Sequence, residues 1–119
     1  MMVSMQLEID GTAIGVVWED NQAARDLRAL VESGPVTITA KAYGGGEIVG
    51  PLPEALASGD VQYAATPGDI LLYQSDQLVL MLGENRWAYT KLGRVSGESL
   101  DAYLALAGLP EVRVTLRNP

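Results

Sequence analysis

The side chains in this sequence that could take part in chemistry are carboxylates, tyrosines, lysines and arginines, because the chain has no histidine and no cysteine. Without histidine there is no ordinary general base near neutral pH, which excludes serine–histidine and histidine–zinc mechanisms. The absence of cysteine excludes disulfides, thiolate nucleophiles and thiolate metal sites. Proton transfer would therefore depend on a carboxylate, a lysine or a tyrosine with a shifted pKa. We expect no catalytic set, no metal and no cofactor.

Glu47 and Arg94 are the charged residues whose positions best suit a binding site. Glu47 follows a run of three glycines and stands between a tyrosine and an apolar strand. If its side chain faces the interior it needs a partner, because a lone buried charge is costly. Arg94, on a strand in which apolar and polar residues alternate, is the natural partner at the floor of a pocket. The alternative is that Glu47 faces solvent and Arg94 lies on the surface.

Three tyrosines, Tyr43, Tyr73 and Tyr89, stand near predicted strand ends or turns. Tyrosine combines an apolar ring with a polar tip and often lines ligand clefts. The competing interpretation is that each is a half-buried core residue. Trp18 and Trp87 are expected to pack in the core or at its ends.

The glycine run at residues 44–46 has two interpretations. Backbone N–H groups in such a run could cradle an anion. However, the lysine and hydroxyl residue that complete a phosphate-binding loop are missing, and no long helix follows. The pattern therefore favours a turn that requires positive φ.

Length and charge limit the class of protein. With 119 residues, of which 48% are hydrophobic, the chain fits one globular domain over residues 1–119. Its formal net charge of −7 argues against nucleic acid and against an anionic membrane surface as partners. The longest apolar run, at 78–82, is far too short to span a bilayer, and the N-terminus does not resemble a targeting segment. We therefore expect a cytoplasmic protein.

Alternation of apolar and polar residues predicts many short strands. Residues 3–10 and 12–18 alternate on either side of Asp10-Gly11, a favoured pair for a tight hairpin turn. Residues 70–73 and 78–82 are apolar on both faces, which is typical of strands deep in a structure. Further short strands are predicted at 36–43, 47–49, 62–65, 87–95 and 112–116.

Two segments have helical periodicity instead. Residues 23–31 place apolar side chains on one face, and Asp20 or Asn21 can cap the start of this helix. Ser96 can cap a second helix whose buried stripe includes Tyr103. About eight strands with two isolated helices suggest a closed barrel whose open ends the helices cover.

Four short strings occur in the same order as in the cyclophilin-like fold, and together they extend over nearly the whole chain. They are YGGGEI at 43–48, PGDILLY at 67–73, LVLMLG at 78–83 and LGRV at 92–95. The chain thus resembles the small prokaryotic proteins of that fold that have no assigned function. The resemblance implies a mainly β protein, a closed eight-stranded barrel with two short capping α-helices.

The resemblance does not carry prolyl isomerase activity over to this chain residue by residue. The isomerase groove of cyclophilins uses an arginine, a glutamine, phenylalanines, a tryptophan and a histidine, and this sequence has no phenylalanine or histidine. An arginine could still polarise a prolyl amide, so a divergent isomerase is one alternative. A structural or assembly role as a homodimer is another.

The function we expect is a binding module. Its groove would hold a small molecule or an extended peptide, and the protein would be a monomer or a homodimer. The residues expected to line the groove are Tyr43, Glu47, Tyr73, Tyr89 and Arg94.

Overall fold

A computed structural model describes residues 4–44 and 46–119 and confirms that the chain is mainly β-structure. This described part contains ten strands and two α-helices, with a 3₁₀ turn at Gly97–Ser99 before the second helix. The helices are α1 (Gln22–Glu32) and α2 (Leu100–Leu104). The strands are β1 (Gln6–Ile9), β2 (Thr12–Ile14), β3 (Val16–Trp18), β4 (Val36–Tyr43), β5 (Glu47–Pro51), β6 (Val61–Ala65), β7 (Asp69–Tyr73), β8 (Gln77–Met81), β9 (Asn85–Val95) and β10 (Glu111–Arg117).

The main sheet is a nearly closed antiparallel barrel. Its strand order is β2-β1-β10-β4-β5-β8-β7-β9-β3. β2 and β3 stand at the two ends of this order, although only Gly15 separates them in the chain. One short segment therefore pairs with β1 on one side and with β9 on the other. The backbone of Gly15 is fixed there, because its N–H donates to Ser99 Oγ at 2.8 Å and its carbonyl accepts from the Ser96 N–H at 2.8 Å.

The expected number of eight strands is wrong, because the described residues form ten. The predicted strand at 12–18 is interrupted at Gly15 and becomes β2 and β3. In addition, β6 lies outside the order of the main sheet and, among the described strands, pairs only with β9. The expected architecture, a cyclophilin-like barrel with two short helices, is confirmed.

The predicted first hairpin is present. Asp10 and Gly11 have φ angles of 51° and 83°, as a tight turn with two left-handed residues requires. The inward side chains of β1 belong to the main core, and Trp18 Nε1 donates to the Met5 carbonyl at 3.0 Å. Val3, predicted in the same strand, lies outside the described residues.

Both helices contribute side chains to the core inside the barrel. Asn21, rather than Asp20, caps α1, and its Oδ1 accepts from the Ala24 N–H at 2.9 Å. Leu27 from α1 and Tyr103 from α2 are fully buried in the same cluster as the inward strand residues. Each helix therefore packs against the core of the barrel. The second helix, α2, has only five residues. In the part of the chain that the structure describes, no helix is long and apolar enough to cross a membrane.

A second layer lies on the outside of the barrel. Residues 90–94 of β9 pair with β7 in the main sheet, whereas residues 85–89 pair with β6. We call β6 and residues 85–89 the outer layer. It covers a second apolar cluster formed by Ala65, Leu71, Val79, Met81 and Tyr89. This cover explains why β7 and β8 are apolar on both faces, as the sequence predicted.

Candidate functional site

A groove with a volume of about 570 Å³ lies on the outside of the barrel, where the main sheet meets the outer layer. Val49 of β5 and Val79 of β8, which are paired neighbours in the sheet, form part of its floor. Tyr43 at the end of β4 lines one side, and Trp87 and Tyr89 of β9 line another. The groove therefore depends on the position of the outer layer as well as on the barrel.

A close approach of two glycines holds the start of β5. The Gly46 carbonyl accepts from the N–H groups of Leu82 at 2.8 Å and Gly83 at 3.0 Å. A Cβ on Gly46 would lie only 3.0 Å from the Cα of Gly83. Gly44 has a φ of 62°, as expected of a turn, while Gly45 lies outside the described residues. This arrangement fixes Glu47 as the first residue of β5, with its side chain in the groove.

Glu47 accepts two hydrogen bonds in this groove. The Tyr89 hydroxyl donates to Glu47 Oε1 at 2.5 Å, and Asn85 Nδ2 donates to the same oxygen at 3.3 Å. Asn85 Nδ2 also donates to the Tyr89 hydroxyl oxygen at 2.9 Å. Because the three side chains form a closed network, the position of the carboxylate is set by two other residues. Glu47 thus faces neither the barrel interior nor open solvent.

Burial of the hydroxyl and its hydrogen bond to Glu47 together raise the pKa of Tyr89 to about 12. Burial is the larger cause, and the hydrogen bond to Glu47 is the second. Tyr89 therefore stays protonated at neutral pH and remains a hydrogen-bond donor to the carboxylate. It is a poor candidate for a general base there.

Aromatic rings surround this network. Tyr43 and Trp87 are 69% and 53% exposed, which is unusual for such large side chains. Tyr73 meets Tyr89 edge-on, with 6.3 Å between ring centroids and an angle of 64° between ring planes. The structure thus brings four of the predicted site residues, Tyr43, Glu47, Tyr73 and Tyr89, to one groove.

Arg94 does not line this groove, so its expected place among the groove residues is wrong, and so is the hypothesis that it pairs with Glu47. Arg94 Nη1 donates to Asp69 Oδ1 at 2.8 Å and to Thr66 Oγ1 at 3.2 Å, and Nη2 donates to the Pro67 carbonyl at 3.3 Å. The Asp69 side chain is fully buried. The buried carboxylate that needs an arginine is therefore Asp69, and Arg94 fixes the turn before β7.

Trp87, Asn85 and Lys41 line the groove but were not predicted as site residues. Trp87 was expected to pack in the core or at its ends, which is wrong, because the outer layer leaves one side of β9 open to the groove. One sequence signal could have identified two of these three. Asn85, Trp87 and Tyr89 recur at every second position, so a single face of β9 carries all three.

The groove has few charged groups. Its charged lining residues are Glu47 and Lys41. Among residues 4–44 and 46–119, no three acidic side chains lie close enough together to hold a metal ion. Hydrogen bonding, aromatic contact and one fixed carboxylate are the interactions that this groove can offer.

Solved structures share this fold. The solution structure of a hypothetical protein from Archaeoglobus fulgidus aligns with a TM-score of 0.63 and 20% identity, covering 100% of this chain and 98% of that chain. The structure of McbB in complex with tryptophan aligns with the same TM-score and 15% identity, covering 97% of this chain. The match extends over only 44% of McbB. At these identities the likeness shows the fold alone.

Sequence comparison gives a more specific result. No curated protein sequence matches the chain. The model of the cyclophilin-like family, however, matches residues 7–117, which is nearly the whole chain. The chain therefore belongs to the cyclophilin-like family.

Proposed function

We propose that this protein is a binding module whose groove takes a small organic molecule with a flat apolar part. The observation that carries the proposal is the pair of exposed rings, Tyr43 and Trp87, in the same groove as the fixed carboxylate of Glu47. Exposed aromatic surface beside a held polar group is typical of ligand sites, where the rings supply contact area and the polar group sets orientation.

The size of the groove supports a small ligand. Small-molecule sites commonly have volumes of about 300–1,000 Å³, and this groove has about 570 Å³. The McbB structure adds a second line of support, since that protein, of the same fold, is described in complex with tryptophan. A planar ring of that kind would suit the apolar floor of Val49 and Val79.

The position of Arg94 favours binding over isomerase chemistry. A divergent prolyl isomerase would depend on an arginine that polarises the prolyl amide. No arginine is among the described residues that line the groove, and Arg94 forms an ion pair with Asp69 instead. The described residues that line the groove also include no serine, threonine or cysteine that could act as a nucleophile.

The test is an NMR titration of the ¹⁵N-labelled protein with tryptophan, phenethylamine and 3-phenylpropionate. We expect at least one probe to shift the backbone amides around Tyr43 and Glu47 and the Trp87 indole N–H. Trp87→Ala should weaken that binding about tenfold or more, because aromatic side chains that become buried on binding contribute much of the binding energy. Val17→Ala is the matched control, since Val17 is similarly exposed at 62% but does not line the groove.

Two results would contradict the proposal. One is that no probe shifts the groove amides at millimolar concentration. The other is that Trp87→Ala leaves binding unchanged but alters the mass measured by light scattering, which would assign the exposed ring to a homodimer interface.

A further inference from the structure

The two oxygens of the Glu47 carboxylate have different surroundings. Oε1 accepts from both Tyr89 and Asn85. Oε2 accepts no hydrogen bond from any other described residue. The pair of donors on Oε1 fixes the orientation of the carboxylate before any ligand arrives, and Oε2 keeps its acceptor capacity.

The neighbours of this carboxylate also suit a positive charge. A cation over the face of tryptophan or tyrosine is attracted by the electrons of the ring, most strongly by tryptophan. Trp87 and Tyr43 line the same groove as Glu47. The net charge of −7 adds a weak general attraction for cations.

Lys41 is the one feature of the described groove that would favour an anion instead. Its side chain is exposed, near the end of β4. A lysine ammonium on a flexible, solvated stem loses mobility and hydration when it binds, whereas Glu47 is half-buried and already held. The fixed charge should therefore dominate the selectivity of the groove.

We propose that the groove selects ligands that carry an amine, with the ammonium group placed between Glu47 Oε2 and the rings of Trp87 and Tyr43. This inference rests on the proposed function, because it specifies the class of ligand for the same groove. The apolar part of such a ligand would lie over Val49 and Val79.

The test compares two probes that have the same ring and similar length but opposite charge. Phenethylamine and 3-phenylpropionate are each titrated into the unaltered protein, into Glu47→Gln and into Glu84→Gln, and dissociation constants are measured by NMR. Glu84→Gln removes the same charge from an exposed residue that does not line the groove. The glutamine at position 47 can still accept from Tyr89, so the network around it is disturbed as little as possible.

We expect phenethylamine to bind about tenfold or more tightly than 3-phenylpropionate, which is the effect of one charge-assisted hydrogen bond. Glu47→Gln should remove that preference, and Glu84→Gln should keep it. Equal affinity for the two probes, or equal effects of the two substitutions, overturns the inference while leaving the groove as a binding site. Failure of both probes and of tryptophan to bind overturns the proposed function and this inference together. If Glu47→Gln does not fold, the relative affinities of the two probes for the unaltered protein still test whether the groove prefers an amine.

Discussion

Replacing Arg94 with methionine should destabilise the fold and leave the groove intact. The substitution keeps the apolar stem of the side chain and removes its charge. Asp69, whose side chain is fully buried, then loses its ion pair and keeps only the Thr66 donors to Oδ2 at 2.9 and 3.4 Å. A buried carboxylate without its counter-charge is one of the few causes of large mutational effects.

The magnitude follows from burial on the two sides of the pair. A hydrogen bond to a charged group contributes about 1.5–3 kcal/mol, and breaking a fully buried pair costs roughly 3–5 kcal/mol. Arg94 is 46% exposed, so solvent screens part of the interaction. We therefore expect Arg94→Met to lower the free energy of unfolding by about 2–3 kcal/mol, which is about a 30- to 150-fold change in the folding equilibrium.

A matched control is available in the same chain. Arg25 is also 46% exposed and pairs with Asp20 at 2.7 Å, but Asp20 is 58% exposed. Arg25→Met should therefore cost under about 1 kcal/mol. Urea unfolding, followed by the fluorescence of the buried Trp18, measures both variants.

Two further results decide whether the pair acts as described. In the double variant D69N/R94M no charge stays buried, so its destabilisation should be smaller than the sum of the two single effects. Arg94→Met should also leave the affinities of the groove for its probes unchanged. If Arg94→Met and Arg25→Met cost the same, the burial of Asp69 adds nothing to the strength of its ion pair, contrary to the prediction.

The other predictions concern packing and alkaline pH. A Cβ at Gly93 would lie 2.8 Å from the Val17 carbonyl oxygen, so Gly93→Ala should cost roughly 1–3 kcal/mol in urea unfolding. Gly59→Ala, where a Cβ meets nothing within 4 Å, should change stability by under about 1 kcal/mol. Burial raises the pKa of Tyr103, and Tyr89 has a pKa of about 12, whereas unfolded tyrosine titrates near pH 10. The unfolded state therefore loses these protons first, so the free energy of unfolding should fall as pH rises from about 10 towards 12. This fall should be smaller in Tyr103→Phe, and an equal fall in both proteins would show that Tyr103 does not contribute.

Most of the fold could be predicted because its signals are local. The alternation in β1, the Asp10-Gly11 turn and the Asn21 cap each depend on residues adjacent in sequence, so they can be recognised from the sequence alone. The interruption at Gly15 was not predictable from such patterns. Alternation continues across it, and only the Ser96 and Ser99 contacts, which are distant in sequence, show why the strand changes partners there.

Most of the candidate site was predictable from the sequence, but the place of Arg94 was not. Tyr43, Glu47 and Tyr73 stand at strand ends, as predicted, whereas Tyr89 lies within β9, and all four line the groove. Arg94 was misplaced because the eleven residues of β9 serve two sheets. Alternation predicts which face of a strand a side chain occupies. It does not predict where along β9 the pairing changes from β6 to β7.

The short segment that carries β2 and β3 also bears on how the molecule assembles. β2 pairs with β1 across a tight turn, so this pairing can form from local contacts alone. β3 pairs with residues 93–95 of β9, which lie in the last third of the sequence. Bringing these two distant segments together closes a long loop, and this costs conformational entropy before the pairing contributes any stabilisation. Closure of the barrel should therefore be a late event in folding. A chain still lacking β9 would expose the unpaired edges of β3 and β7, the kind of surface on which copies aggregate.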